Sequence, residues 1–173
     1  SNKKIKKSYD TIKFLLSRYF AGLIVQIFIL FIIYTIILLI IGTPNAVVIA
    51  FLCSLLNLIP FIGPFIGGIL MVLLTMSSHI SEDFSAVILP KAIYVTIGFA
   101  FGQIIDNFLS QPLIFSNSVK SHPLEIFLVI VIAGLLFGPI GMIAAIPTYT
   151  ALKVVGKEFL SENRIIKELT KNL

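Results

Sequence analysis

The sequence predicts an all-α, polytopic transmembrane helical protein with two broken or re-entrant helical hairpins and a possible inverted repeat. Composition is the first reason. Of 173 residues, 58% are hydrophobic and only 12% are charged, with a mean hydropathy of +1.06. A soluble domain carries about 25% charged residues, so this apolar excess has no interior large enough to hold it. The runs are also continuously apolar rather than alternating, which argues against a β-barrel. The third reason is a pair of glycine-proline breaks inside those runs. One is Leu58-Ile59-Pro60-Phe61-Ile62-Gly63-Pro64-Phe65-Ile66-Gly67-Gly68; the other is Leu136-Phe137-Gly138-Pro139-Ile140-Gly141, followed by Pro147. Lipid cannot pair the N–H and C=O groups that such breaks release, so they persist only where protein or a wet cavity covers them.

The elements follow in order. Residues 1–18 are basic, with Ile5, Tyr9, Ile12 and Leu16 on one helical face, and read as an amphipathic lead-in at the cytoplasmic interface. Residues 19–41 form a first span, long enough for a hydrocarbon core of about 30 Å. Gly42-Thr43-Pro44-Asn45 is a tight turn on the outer side. Residues 46–78 are too long for one span and too short for two. Two half-length helices, 46–58 and 65–78, would descend to the bilayer centre and return as a hairpin entered from outside. The acidic loop 77–83 suits that side. Residues 84–108 form a second full span, with Pro90 starting or kinking it. The polar loop 109–121 carries Lys120 and suits the cytoplasm. Residues 123–155 repeat the hairpin pattern from inside, and 156–173 form an amphipathic cytoplasmic tail. The second half then reads as the first inverted. A rival topology makes each hairpin two tilted full spans.

The net charge of +5 is concentrated at the two ends, which the positive-inside rule places in the cytoplasm. This distribution is no nucleic-acid footprint. Cys53 is alone and reads as a small buried apolar residue. The basic start leads into an apolar run too long for the core of a cleavable signal, so a retained span is expected. No His, Cys, Asp or Glu cluster has metal-ligand spacing, and no Ser/Lys, Ser/His or paired-Asp set sits at membrane depth. Neither a cofactor nor an enzymatic activity is expected.

Leu58-Ile59-Pro60-Phe61-Ile62-Gly63-Pro64 resembles the "IPYIGP" signature of the AI-2E transporter family of bacterial membrane proteins. Gln103-Ile104-Ile105-Asp106-Asn107 through Pro112, then Ser118-Val119 through His122-Pro123-Leu124, resembles a second signature. Leu136 to Gly141, through Ala145-Ile146-Pro147, resembles a third, and Arg18 with Gly22 resembles the basic approach to the preceding helix. Members are usually about twice this length, so the likeness is to a C-terminal half. It implies a multi-pass protein of the bacterial plasma membrane that exports autoinducer-2 or exchanges sodium or lithium for protons. The motifs do not separate these two.

From the residues themselves, the breaks point to a substrate path, because half-helix ends aim backbone dipoles into the bilayer. Asn57, Pro60, Gly63, Pro64, Gly67, Gly138, Pro139 and Gly141 would shape it. Gln103, Asp106 and Asn107 would supply polar contacts. An intramembrane carboxylate is costly and so is a functional candidate. Asp106 would bind Na⁺ with Gln103 and Asn107, or carry a proton if burial disfavours its charge. The competing reading places Asp106 at the cytoplasmic headgroups and treats the breaks as packing devices. His122, Pro123 and Glu125 read as a helix start. Gly63/Gly67, Gly98/Gly102 and Gly134/Gly138 are small-residue pairs that let helices touch, within the chain or in a homo-oligomer. The expected function is transmembrane movement of a small polar solute or monovalent cation, with proton coupling as one form of it. A passive channel and a membrane scaffold are the alternatives.

Overall fold

The computed structural model describes residues 2–110, 121–160 and 164–171. The loop expected at 109–121 with Lys120, and Pro112, Ser118 and Val119 of the second signature, fall largely or wholly outside them. The described residues are helical, with no strand among them. Helix α1 spans Asn2–Ile41, α2 Ala46–Leu56, α3 Ile62–Ser78, α4 Leu89–Ile105, α5 Pro123–Phe159 and α6 Arg164–Leu169. Wider, π-type turns at Phe84–Ile88 and Asp106–Ser110 extend α4 into one rod of 27 residues. Less than a quarter of each long apolar stretch is buried: 22% for α1, 17% for the α4 rod and 17% for α5. Exposed side chains such as Ile40, Phe65, Phe108 and Leu135 are large and apolar. A surface of this kind is matched to lipid rather than to water.

The chain divides into two compact units, Leu23–Ser110 and Ser1–Gly22 with Gln111–Leu173. Helix α1 runs through both without interruption, so the lead-in and the first span are one helix.

In the Leu23–Ser110 unit, α1 buries Leu23, Gln26, Leu30, Tyr34 and Leu38, at steps of three and four residues that form one helical face. Leu30, Tyr34 and Leu38 pack with Ala46, Ile49, Ala50, Cys53, Met71 and Val95 as the core. Cys53 is free and buried, as its composition suggested. Glycines set the helix crossings. A Cβ on Gly98 would strike Ile37, one on Gly102 the Tyr34 ring, and one on Gly68 the Phe99 ring. A Cβ on Gly63 would fall on the Leu56 carbonyl. The α2–α3 hairpin therefore has backbone against backbone at its tip. At about 1.5 Å per residue, the 11 residues of α2 reach about 16 Å and the 17 of α3 about 25 Å.

The reversal of this hairpin is residues 57–61. Pro60 is buried in it and Phe61 holds a φ of 66°, an uncommon conformation for a bulky residue. Five N–H groups in and beside it are bonded locally. Asn57 N–H donates to Ser54 O, Leu58 to Leu55 O, Ile59 to Leu56 O, Ile62 to Pro60 O and Gly63 to Ile59 O, all within 3.1 Å. Pro64 falls in the first turn of α3, where a missing N–H costs no helical bond.

In the other unit, the 37 residues of α5 exceed a span in length, but the helix reverses at Gly138, with φ 66° and ψ −153°. In a straight helix Glu125 and Tyr149 would lie about 36 Å apart; here the Tyr149 hydroxyl donates to the Glu125 carboxylate. Met142 lies over Gly134, and Gly141 is pressed on the Ala133 carbonyl. The arms 123–137 and 139–159 thus form a second helical hairpin. Nothing lies within 4 Å of a Cβ built on Gly138, so torsion rather than space requires glycine there. Pro139 opens the return arm. Pro147, further along, withholds an N–H from the Ile143 carbonyl. Helix α5 ends at Phe159, and α6 folds back so that Ile166 meets Gly156.

Candidate functional site

The polar groups singled out in the sequence divide between the two units, and each set has its own geometry.

In the Leu23–Ser110 unit, Asp106 is fully buried, and Gln26 Nε2 donates to its Oδ2 at 2.7 Å. One helical turn earlier, Gln103 Nε2 donates to the Tyr34 hydroxyl at 2.6 Å and lies 3.4 Å from Asn57 Oδ1. Asn57 is buried, and its Nδ2 donates to Cys53 O at 3.1 Å, which closes the C-terminal end of α2. The result is two polar steps along α4, each built with a side chain of α1. The upper step also takes in the hairpin tip. Tyr34 is held in place by Phe99, stacked on it with ring centres 5.5 Å apart.

The local reasons are simple. Gln26 and Tyr34 both fall on the buried stripe of α1, eight residues apart. Gln103 and Asp106 are three apart on α4 and so share a face. Gly102 lets α1 approach closely enough for these short bonds. Desolvated polar groups of this kind are costly unless bonded, and these are bonded to each other.

Asn57, Gln103 and Asp106 therefore sit on or beside one polar series. Asn107 is exposed on the rod surface. Pro60, Gly63, Pro64 and Gly67 build the hairpin tip. Gln26 and Tyr34 escaped sequence reasoning. The signal for Gln26 was present, because it is the only amide in the run 19–41.

The second hairpin carries a different cluster at its open end. Lys153 has a side chain only 5% exposed, and its Nζ lies 3.1 Å from both Glu125 Oε1 and Ser121 Oγ. Tyr149 donates to the same carboxylate, and its ring lies 5.6 Å from the ammonium. His122 and Glu125 form a capping box: Leu124 N–H donates to His122 Nδ1 and His122 N–H to Glu125 Oε2. They start the helix as their spacing suggested, and Glu125 also clasps the two arms together. Gly138, Pro139 and Gly141 lie at the far end, making the reversal rather than lining a polar site. Among the described residues, no group of three or more His, Cys, Asp or Glu side chains is placed to hold a metal ion.

One cavity, of about 950 Å³, is an open groove along α1 and α4 beside Lys91. Lys91 Nζ donates to Ile41 O at 2.8 Å and so caps the C-terminal end of α1.

Comparison with known proteins gives one consistent picture. The pattern described as AI-2E family transporter matches residues 1–161. A Bacillus subtilis (strain 168) protein named "Putative transport protein YueF" is 32% identical over 129 residues, 75% of this chain and 32% of that protein. "Putative transport protein YrrI" of the same strain is 32% identical over 120 residues, 69% of this chain and 31% of its own length. "Putative transport protein MT0215" of Mycobacterium tuberculosis (strain CDC 1551 / Oshkosh) is 32% identical over 112 residues, 62% of this chain. The chain spans about a third of the length of the curated relatives it matches. No solved structure matches.

Proposed function

This chain belongs to the AI-2E transporter family, and from that premise we propose that it moves a small polar solute or a monovalent cation across the bacterial plasma membrane, with both of its ends in the cytoplasm. The observation that carries the reading is the buried series of Asp106 with Gln26 and of Gln103 with Tyr34 and Asn57, inside helices whose outer faces suit lipid. Polar groups at membrane depth are expensive and mark paths for ions and polar solutes. Asp106 is the charged member and the coupling candidate, for Na⁺ or for a proton. Gln103 and Asn57 offer neutral dipoles at the next step.

The hairpins support the same reading. Helix α2 reaches about 16 Å, half of a hydrocarbon core of about 30 Å. Its tip meets Tyr34 through Gln103, and Tyr34 lies seven residues, about 10 Å, from the Ile41 end of α1. A hairpin entering beside Ile41 and turning at this depth is re-entrant. Because the N–H groups of Asn57, Leu58, Ile59, Ile62 and Gly63 are bonded within the turn, the transported species would meet the side chains of Asn57 and Gln103 rather than those amides.

The test is a flux screen in proteoliposomes across Na⁺, Li⁺, H⁺ and autoinducer-2. Wild-type chain is expected to move at least one of these, and Asp106→Asn to abolish any proton- or Na⁺-coupled component. Coupled flux that survives the substitution unchanged removes Asp106 from the mechanism.

A further inference from the structure

Lys91 is the only Lys or Arg between Arg18 and Lys120. Its Nζ donates to Ile41 O at 2.8 Å and lies 3.4 Å from Gly42 O. Both acceptors are neutral carbonyls. Among the described residues the ion pairs belong to Lys7, His79 and Lys153, and none to Lys91. The two acids nearest to it in sequence are engaged elsewhere: Glu82 lies beside His79, and Asp83 accepts from Ala86 N–H. An ammonium has three donors, so one remains, on a charge that no carboxylate matches. Lys91 lines the groove of about 950 Å³ between α1 and α4. Tyr94, one turn along, brings a hydroxyl to the same wall, and the remaining lining residues are apolar. Gly98 lies in the floor, where a Cβ would strike Ile37. Along the groove Ile40, Tyr94, Ile97 and Phe101 are between 58% and 80% exposed. They stand on two helices long and apolar enough to cross a membrane, so the groove opens on the outer face of those spans.

We propose that this groove holds an anionic phospholipid of the leaflet at the Ile41 end, its phosphate on Lys91 Nζ and the Tyr94 hydroxyl, and an acyl chain over Ile37, Ile97, Gly98 and Phe101. Depth agrees with this occupant. Ile41 closes the apolar run of α1 and the turn Gly42-Thr43-Pro44-Asn45 follows it, so the ammonium on Ile41 O stands at the level of the phosphates. Lysine heads settle at that level while their stems stay along apolar surface. Residues 91–101 rise about 15 Å along α4, half of a hydrocarbon core of about 30 Å and so the depth of one leaflet. Charge separates a lipid from a second copy of this chain. Residues 24–81 and 84–105 contain no Asp or Glu, so another copy packed here through those helices would leave Lys91 unmatched. A phospholipid supplies an anion at the polar end and a flexible chain for the apolar trough in one molecule.

The chain has no tryptophan, so one that is introduced reports its own surroundings. Phe101→Trp places it in the groove, and Phe28→Trp at an exposed position of α1 outside it. Each full chain is reconstituted in phosphatidylcholine with either brominated phosphatidylglycerol or brominated phosphatidylcholine as quencher, and the loss of fluorescence gives the relative affinity of the two lipids. At Phe101→Trp the anionic lipid is expected to be favoured about fivefold, the factor expected for one lysine near an anionic headgroup. At Phe28→Trp the two lipids should quench alike. Lys91→Gln should abolish the preference at Phe101→Trp, and Lys91→Arg should keep it. Lys91 also caps α1, so helicity by circular dichroism checks each variant; if Lys91→Gln fails to fold, the contrast between the two reporters decides. Equal quenching by both lipids at Phe101→Trp overturns the proposal, as does a preference that survives Lys91→Gln. The same preference at Phe28→Trp overturns it in favour of diffuse attraction. Protection of Phe101→Trp from both lipids overturns it in favour of a protein segment filling the groove.

Discussion

Gly63 and Gly138 look alike in the sequence, each followed by proline, yet they are glycine for different reasons. Gly63 has ordinary helical torsions and no room, because a Cβ would enter the Leu56 carbonyl. Gly138 has room but a φ of 66°. The two should answer differently to substitution. Gly138→Ala and Gly138→Asn are each expected to cost about 2 kcal/mol through torsion alone, since φ 66° with ψ −153° is a region essentially reserved for glycine. Gly63→Ala is expected to cost more, up to about 3 kcal/mol, and Gly63→Asn more still, because backbone cannot yield. Thermal unfolding in detergent, followed by helicity, orders the four variants. If Gly63→Asn were milder than Gly63→Ala, the close approach described for the first hairpin would be wrong. Residue-scale reasoning also explains Gln26. A lone amide in an apolar run needs a partner, and its partner is Asp106, 80 residues away.

At the scale of elements, the two hairpins are held by different forces. The first is close-packed at its tip, with Gly63 and Gly67 against α2. The second is tied at its open end by Lys153, Glu125, Tyr149 and Ser121. Breaking that clasp from one side should be costly, because an uncompensated buried ammonium remains. Glu125→Gln is expected to destabilise by about 3 kcal/mol, and the pair Glu125→Gln with Lys153→Met by less than the sum of its parts. A double-mutant cycle of melting temperatures reads this directly; strict additivity would show that the clasp carries no coupling. The Gly98/Gly102 pair is used between α1 and α4 within the chain, so it does not by itself argue for an oligomer.

For the whole molecule, the question is how the hairpins meet the membrane. In a Cys53→Ala background, Asn45→Cys and Ser81→Cys flank the first hairpin, and Phe61→Cys sits at its tip. If the hairpin is re-entrant, the flanking cysteines should react with an impermeant thiol reagent from outside. The tip should stay unreactive from the cytoplasmic face of inverted vesicles. Cytoplasmic labelling at Phe61→Cys would turn the hairpin into two full spans. The helical class and the two chain reversals were legible in the sequence. A 12% charge content and two glycine-proline breaks announce lipid-facing helices that reverse, and the helix start at His122-Pro123-Glu125 was readable from its spacing.

The sequence by itself determined where the chain turns, because proline and glycine act on their own backbone and on the next residue or two. It also determined that the outside of the rods is apolar. Only the tertiary structure decided which polar groups meet. Gln26 with Asp106, Tyr34 with Gln103 and Lys153 with Glu125 are pairings across 80, 69 and 28 residues. They depend on how each helix is rotated about its axis, and that rotation is set by the packing of neighbours rather than by any local rule.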